Sequence, residues 1–287
     1  MKRIPLLLAA LGVVSAAAYA APELTVTSIG QEVEMEHVNG SDDTTAWLYN
    51  NVGLAYGDWS FGFQGAKQWN YDNKDSVKDP DKGISSANNR IQFDAWRKIN
   101  DNLKLGFRYR GQKDFDRFMA RYDFNYGMLW SAGDFWYQFN NNNNKEDNVE
   151  LEWFPIGLKY GAFKVGYFLN YMENNNPNVN ETKESYTEHQ IRLYAPLYKW
   201  DRLSLSTEAR ITLHAEEDHA GNGNYQTYED FGRNRLYLKA NYAVSEDLNV
   251  YVNYAYELRD REERDGYKGS IDNADYQNLT FGWSYRF

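Results

Sequence analysis

The chain has 287 residues, no cysteine, a formal net charge of −10 and a mean hydropathy of −0.78, yet 17% of its residues are aromatic. The acidic balance, with no basic domain, excludes nucleic acid as a partner. The lack of cysteine excludes a disulfide scaffold, and beyond Ala20 no stretch approaches a spanning helix.

Met1-Lys2-Arg3 is a short positive segment, Ile4 to Ala18 is an apolar run, and Ala18-Tyr19-Ala20 is a small-x-small cleavage site. Together they form a secretory signal peptide over 1–20, cleaved near Ala20. The apolar run is too short for a comfortable span. Residues 21–287 then form one domain with one rhythm: an alternating strand, a tight connection, another strand, a longer polar connection.

Fourteen strands are expected near 24–37, 46–56, 59–69, 87–98, 103–113, 117–129, 135–140, 149–160, 163–172, 186–198, 203–214, 231–244, 248–259 and 275–287. Tight turns are expected at Tyr56–Trp59, Asn100–Asn102, Ser131–Asp134, Tyr160–Phe163, Lys199–Arg202 and Ser245–Asp247, where Gly, Asp and Asn supply turn chemistry. The Tyr-Gly-x-aromatic corner occurs at both Tyr56 and Tyr160. The longer connections are polar and mostly acidic, and Asn140 to Asn144 is a low-complexity loop.

In the strand 248–258 every even position is apolar: Leu248, Val250, Val252, Tyr254, Tyr256 and Leu258. In the last strand Leu279, Phe281, Trp283, Tyr285 and Phe287 share one face, and Asn278, Thr280, Gly282, Ser284 and Arg286 the other. Apolar toward lipid and polar toward water, with short turns at one end and long loops at the other, is the pattern of an all-β transmembrane antiparallel up-and-down barrel. Hydrocarbon tolerates no open edge, so the last strand should close on the first. Twelve or sixteen strands are the alternatives to fourteen. Two places break the alternation. The apolar parity switches at Phe154-Pro155, as one extra residue in a bulge would cause. Asn50 falls on the lipid side with no reason visible in the sequence.

Parity assigns the lumen. Inward bases are Arg90, Lys104, Arg108, Arg110, Arg117, Arg121, Arg192, Arg210, Arg233, Arg235, Lys239 and Arg259; inward acids are Asp94, Asp123, Glu150, Glu152, Glu208 and Glu257. The lumen thus reads as net basic. Guanidinium groups in a low-dielectric passage would favour anionic or polyhydroxylated solutes. Alternatively they pair with the wall acids and order the barrel without selecting anything.

Catalysis has little support. There is no Gly-x-Ser-x-Gly and no His-Glu-x-x-His. His189 and His214 lie at strand ends where they could meet Ser185, and interface polarity is the plainer reading of both. Acidic stretches such as Glu216-Glu217-Asp218 lack calcium-loop spacing. No enzyme, metal or cofactor is expected.

The signal peptide, alternating strands, acidic loops and terminal Phe287 resemble bacterial outer-membrane porins. Tyr194-Ala195-Pro196-Leu197-Tyr198-Lys199, followed by an alternating strand, is similar to a segment of the fusobacterial major outer-membrane porins. That resemblance implies a fourteen-stranded general diffusion channel in the outer membrane of a Gram-negative cell. The arginine-lined lumen is similar in kind to acidic-oligosaccharide porins, usually assigned twelve strands. The implied partners are outer-membrane lipid and lipopolysaccharide, small hydrophilic solutes, and a homo-oligomer as an open choice. An oligosaccharide-specific channel, or a surface adhesin or structural barrel without transport, are the competing readings.

Overall fold

The computed structural model describes residues 22–39, 43–72, 83–141, 146–175, 183–219, 226–228, 231–260, 262–263 and 275–287. The signal segment 1–20 and Asn142–Asn144 of the asparagine loop lie outside them.

The strands are β1 Thr25–Val38, β2 Asp43–Tyr56, β3 Trp59–Asp72, β4 Ile84–Lys98, β5 Leu103–Gln112, β6 Phe115–Tyr126, β7 Leu129–Asn140, β8 Asn148–Tyr160, β9 Phe163–Asn174, β10 Lys183–Trp200, β11 Leu203–His219, β12 Gln226–Tyr228, β13 Arg233–Ala243, β14 Leu248–Arg259, β15 Glu262–Glu263 and β16 Tyr276–Arg286. Setting aside the short β12 and β15, which extend the upper end of β11, fourteen strands form the wall. Each is antiparallel to its neighbours, and β16 closes the ring by pairing with β1 and β14 together. Phe281 stands opposite Val33 on one side and Val252 on the other. Among the described residues nothing packs over the outer surface, so Ile91 (69% exposed), Phe135 (52%) and Phe281 (44%) lie bare there. A water-soluble sandwich would have buried them; a lipid-facing wall leaves them out.

The tight turns follow from backbone sterics. Gly57, Gly127 and Gly161 have φ of +56°, +57° and +59°, and Asp201 has φ 47°. Each is the first central residue of a two-residue turn, the place where a hairpin that matches strand twist needs positive φ. The turn expected at Ser131–Asp134 is therefore corrected: it lies at Gly127-Met128, a third copy of the Tyr-Gly corner, and Leu129–Asn140 is continuous strand. The small residues there are covered rather than turning. A Cβ on Gly133 would come within 2.7 Å of the Tyr122 ring, and Ser131 Oγ lies 2.7 Å from the Tyr122 hydroxyl.

The parity switch in β8 is a bulge. Ladder register jumps between Trp153 and Ile156 against β9, and between Trp130 and Ala132 against β7. Phe154 turns inward against Trp130 and Phe168, at ring centroid distances of 4.8 and 5.0 Å.

Candidate functional site: the charged lumen

Alternate side chains of the wall converge inside the barrel, where charge, amide and aromatic groups satisfy one another. On β4–β7 the ladder register sets Asp94 opposite Arg108 and Arg121 opposite Asp134. Asp94 Oδ1 accepts from Arg108 Nε at 2.6 Å and Arg121 Nη1 at 2.9 Å, and Asp134 accepts from Arg121 Nε at 2.8 Å. Toward the loop end the partners change. Arg110 Nε donates to Gln92 at 2.8 Å, Arg117 Nε to Gln138 at 2.9 Å, and Arg90 Nη1 to the Tyr49 hydroxyl at 3.3 Å. Arg90 lies 4.4 Å over Trp47 and Arg117 lies 4.7 Å over Trp136. Among the described residues these three guanidiniums have no carboxylate within ion-pair distance. Arg110 and Arg117 stand directly opposite each other in register.

On the other side of the lumen the charges are closed into pairs. Glu257, almost fully buried, accepts from Arg235 Nε at 2.5 Å and Arg259 Nε at 2.6 Å, with Arg233 Nε at 3.2 Å. Arg233 also reaches Glu188, which takes hydrogen bonds from Thr212 and Gln190, each at 2.7 Å. Glu208 accepts from Arg210 Nε at 2.7 Å and Lys239 Nζ at 2.6 Å. Asp123 lies opposite Lys104 and accepts from the Asn125 amide.

The net-basic reading of the lumen leaves out several wall acids. Glu32, Glu34 and Glu36 of β1 also face inward: Tyr251 donates to Glu32 at 2.7 Å, Tyr49 and Asn278 to Glu34 at 2.9 and 2.8 Å, and Tyr276 to Glu36. With Asp134 and Glu188 they bring the wall toward charge balance. The signal was present, since Glu32, Glu34 and Glu36 alternate with Val33 and Met35. Asp134 was hidden because its segment reads as a turn.

Arg192 lacks a carboxylate partner among the described residues; its Nε donates to Gln190 at 2.8 Å and its guanidinium lies 3.4 Å over Phe168. A cavity of about 420 Å³ opens beside it, with Glu150, Glu152, Asn170 and Arg192 on its β8–β10 side and the paired Glu188, Arg233, Arg235, Glu257 and Arg259 on the rest of its lining.

Among the described residues, neither His189 nor His214 meets Ser185. His189 and His214 do meet, with ring centroids 6.3 Å apart, but on the outward face, and Tyr167 is 2.6 Å from His189 Nδ1. Ser185 donates to Asp218 instead, at 3.2 Å. Among the described residues no cluster of three or more metal-ligating side chains is placed to hold an ion.

No protein family matches the chain, and no curated protein is similar to it. Among solved structures, a bacterial polysaccharide outer membrane secretin superposes with a TM-score of 0.50 at 10% identity, over 91% of this chain and 98% of that one. OmpT, an outer membrane protein of Vibrio cholerae, gives 0.45 at 13% identity, over 94% and 100%. An anion-selective porin from Comamonas acidovorans gives 0.44 at 10% identity, over 92% and 100%. At these identities the likeness concerns the barrel fold alone.

Proposed function

We propose that the chain is a bacterial outer-membrane porin, a passive channel for small hydrophilic solutes with a bias toward anions. The reading includes a mature chain that begins near Ala21, kinship with the fusobacterial porins, and transport without catalysis. It rests on one observation above the rest: Arg90, Arg110 and Arg117 are held in place by neutral amides and rings, and among the described residues no carboxylate forms an ion pair with them. In a low-dielectric passage such charge raises the local concentration of anions. The balanced charges elsewhere order the wall.

The test is a planar-bilayer recording of the refolded mature chain in a potassium chloride gradient. Stepwise conductance with a reversal potential of anion sign is the expected result. Cation preference would overturn the anion bias, and a barrel that inserts but never conducts would overturn the channel in favour of an adhesin or structural barrel.

A further inference from the structure

We infer that the β8–β10 side of the lumen cavity is a binding site for small zwitterions, molecules that carry both an ammonium and a carboxylate, such as amino acids and short peptides. The site would serve the solutes of the channel proposed above, and so rests on that reading.

The cavity holds two kinds of charge. On its β10–β14 side opposite charges close to between 2.5 and 3.2 Å. On its β8–β10 side three charges do not. Glu150 and Glu152 project inward from β8, in register with Trp136 and Asp134. Among the described residues neither has a cation within ion-pair distance, and Glu150 is held by the neutral Asn170 side chain. Arg192 faces the same space from β10. Its Nε is taken by Gln190, which is 5% exposed and gives its own amide to Glu188, and its planar face is taken by the buried ring of Phe168. Glu150 and Arg192 are thus held at one cavity by neutral partners rather than by each other.

A monovalent ion entering there neutralises one sign and leaves the other uncompensated. A zwitterion neutralises both, its carboxylate on the guanidinium fork and its ammonium on the two glutamates. The volume of about 420 Å³ falls within the range of roughly 300–1,000 Å³ found for small-molecule sites.

The experiment records single channels of the refolded mature chain while glycylglycine, acetate or ethylammonium is added, and measures glycylglycine binding to the detergent-folded barrel by calorimetry. The expected result is saturable block by glycylglycine at a concentration about tenfold below that of either singly charged probe. Glu150→Gln with Glu152→Gln, and separately Arg192→Gln, should each abolish that preference while the barrel still conducts potassium chloride. A conducting channel that glycylglycine neither blocks nor binds overturns the site and leaves the porin reading standing. Loss of preference with Arg192→Gln alone also overturns it, in favour of a plain anion site. Calorimetric binding that needs both charge sets, in a barrel that does not conduct, supports the site and sinks the porin reading.

Discussion

Gln31 Nε2 donates to Asn50 Oδ1 at 2.8 Å on the outward face of the barrel, midway along β1 and β2, where the wall meets hydrocarbon. Asn50 breaks the apolar pattern of its strand, and the partner that excuses it is nineteen residues away on the neighbouring strand. Removing one partner strands the other amide in lipid, at a cost of about 1–2 kcal/mol, whereas replacing both by apolar groups of similar size is close to neutral. Asn50→Ala should therefore lower the urea midpoint in lipid vesicles, and Gln31→Leu with Asn50→Leu should restore or raise it. Equal losses in the single and double variants would show that the pair does not interact.

Arg110 and Arg117 face each other across β5 and β6, and like charges directly opposite in a sheet destabilise it by roughly 0.2–1 kcal/mol. Arg110→Gln relieves that repulsion and keeps a side chain able to meet Gln92. The variant should fold as well as the parent or slightly better while its reversal potential moves toward cation preference. A change in stability without a change in selectivity would remove these arginines from the transport path.

Glu257 holds three arginines with a side chain only 2% exposed, so its loss leaves the half-buried Arg235 and Arg259 without a carboxylate, while Arg233 keeps Glu188. Glu257→Gln is expected to cost about 3–5 kcal/mol, the range for breaking a buried ion pair by removing one partner. Glu32 makes a useful contrast. Its hydrogen bond comes from the neutral Tyr251 hydroxyl, and a glutamine oxygen can accept the same bond. Glu32→Gln should shift the urea midpoint far less than Glu257→Gln, and equal shifts would contradict this account of the wall.

Strand number and closure could be read from the sequence because alternation is strict wherever one face meets lipid. Leu248 to Leu258 and Leu279 to Phe287 show it plainly. What escaped the reading was information held between strands. The partner of Asn50, the neutral tethers of Arg90 and Arg117, and the pairing of Arg121 with both Asp94 and Asp134 depend on register, which parity alone does not give. The misplaced turn has a similar origin. Ser131, Ala132 and Gly133 have turn-like composition, yet Gly133 has no side chain because the rings of Tyr122 and Trp153 lie over the strand there.

The bulge in β8 supplies a test in which residue count and residue identity are separated. Phe154-Pro155 adds one residue to a ladder that otherwise alternates, and the extra residue lets Trp153 and Ile156 both face outward while Phe154 reaches Trp130 inside. Deleting Pro155 removes the extra residue and leaves every other side chain on its present face: Trp153, Ile156, Leu158 and Tyr160 alternate outward, and Phe154, Gly157 and Lys159, whose Nζ donates to Asn125 at 3.0 Å, stay inward. The deletion should therefore still give the compact, heat-modifiable band of a folded barrel on a denaturing gel. Pro155→Ala keeps the count, and Pro155 has no ladder partner to lose, so this variant should also fold like the parent. Loss of the folded band on deletion, with the alanine variant folded, would overturn this account of the bulge.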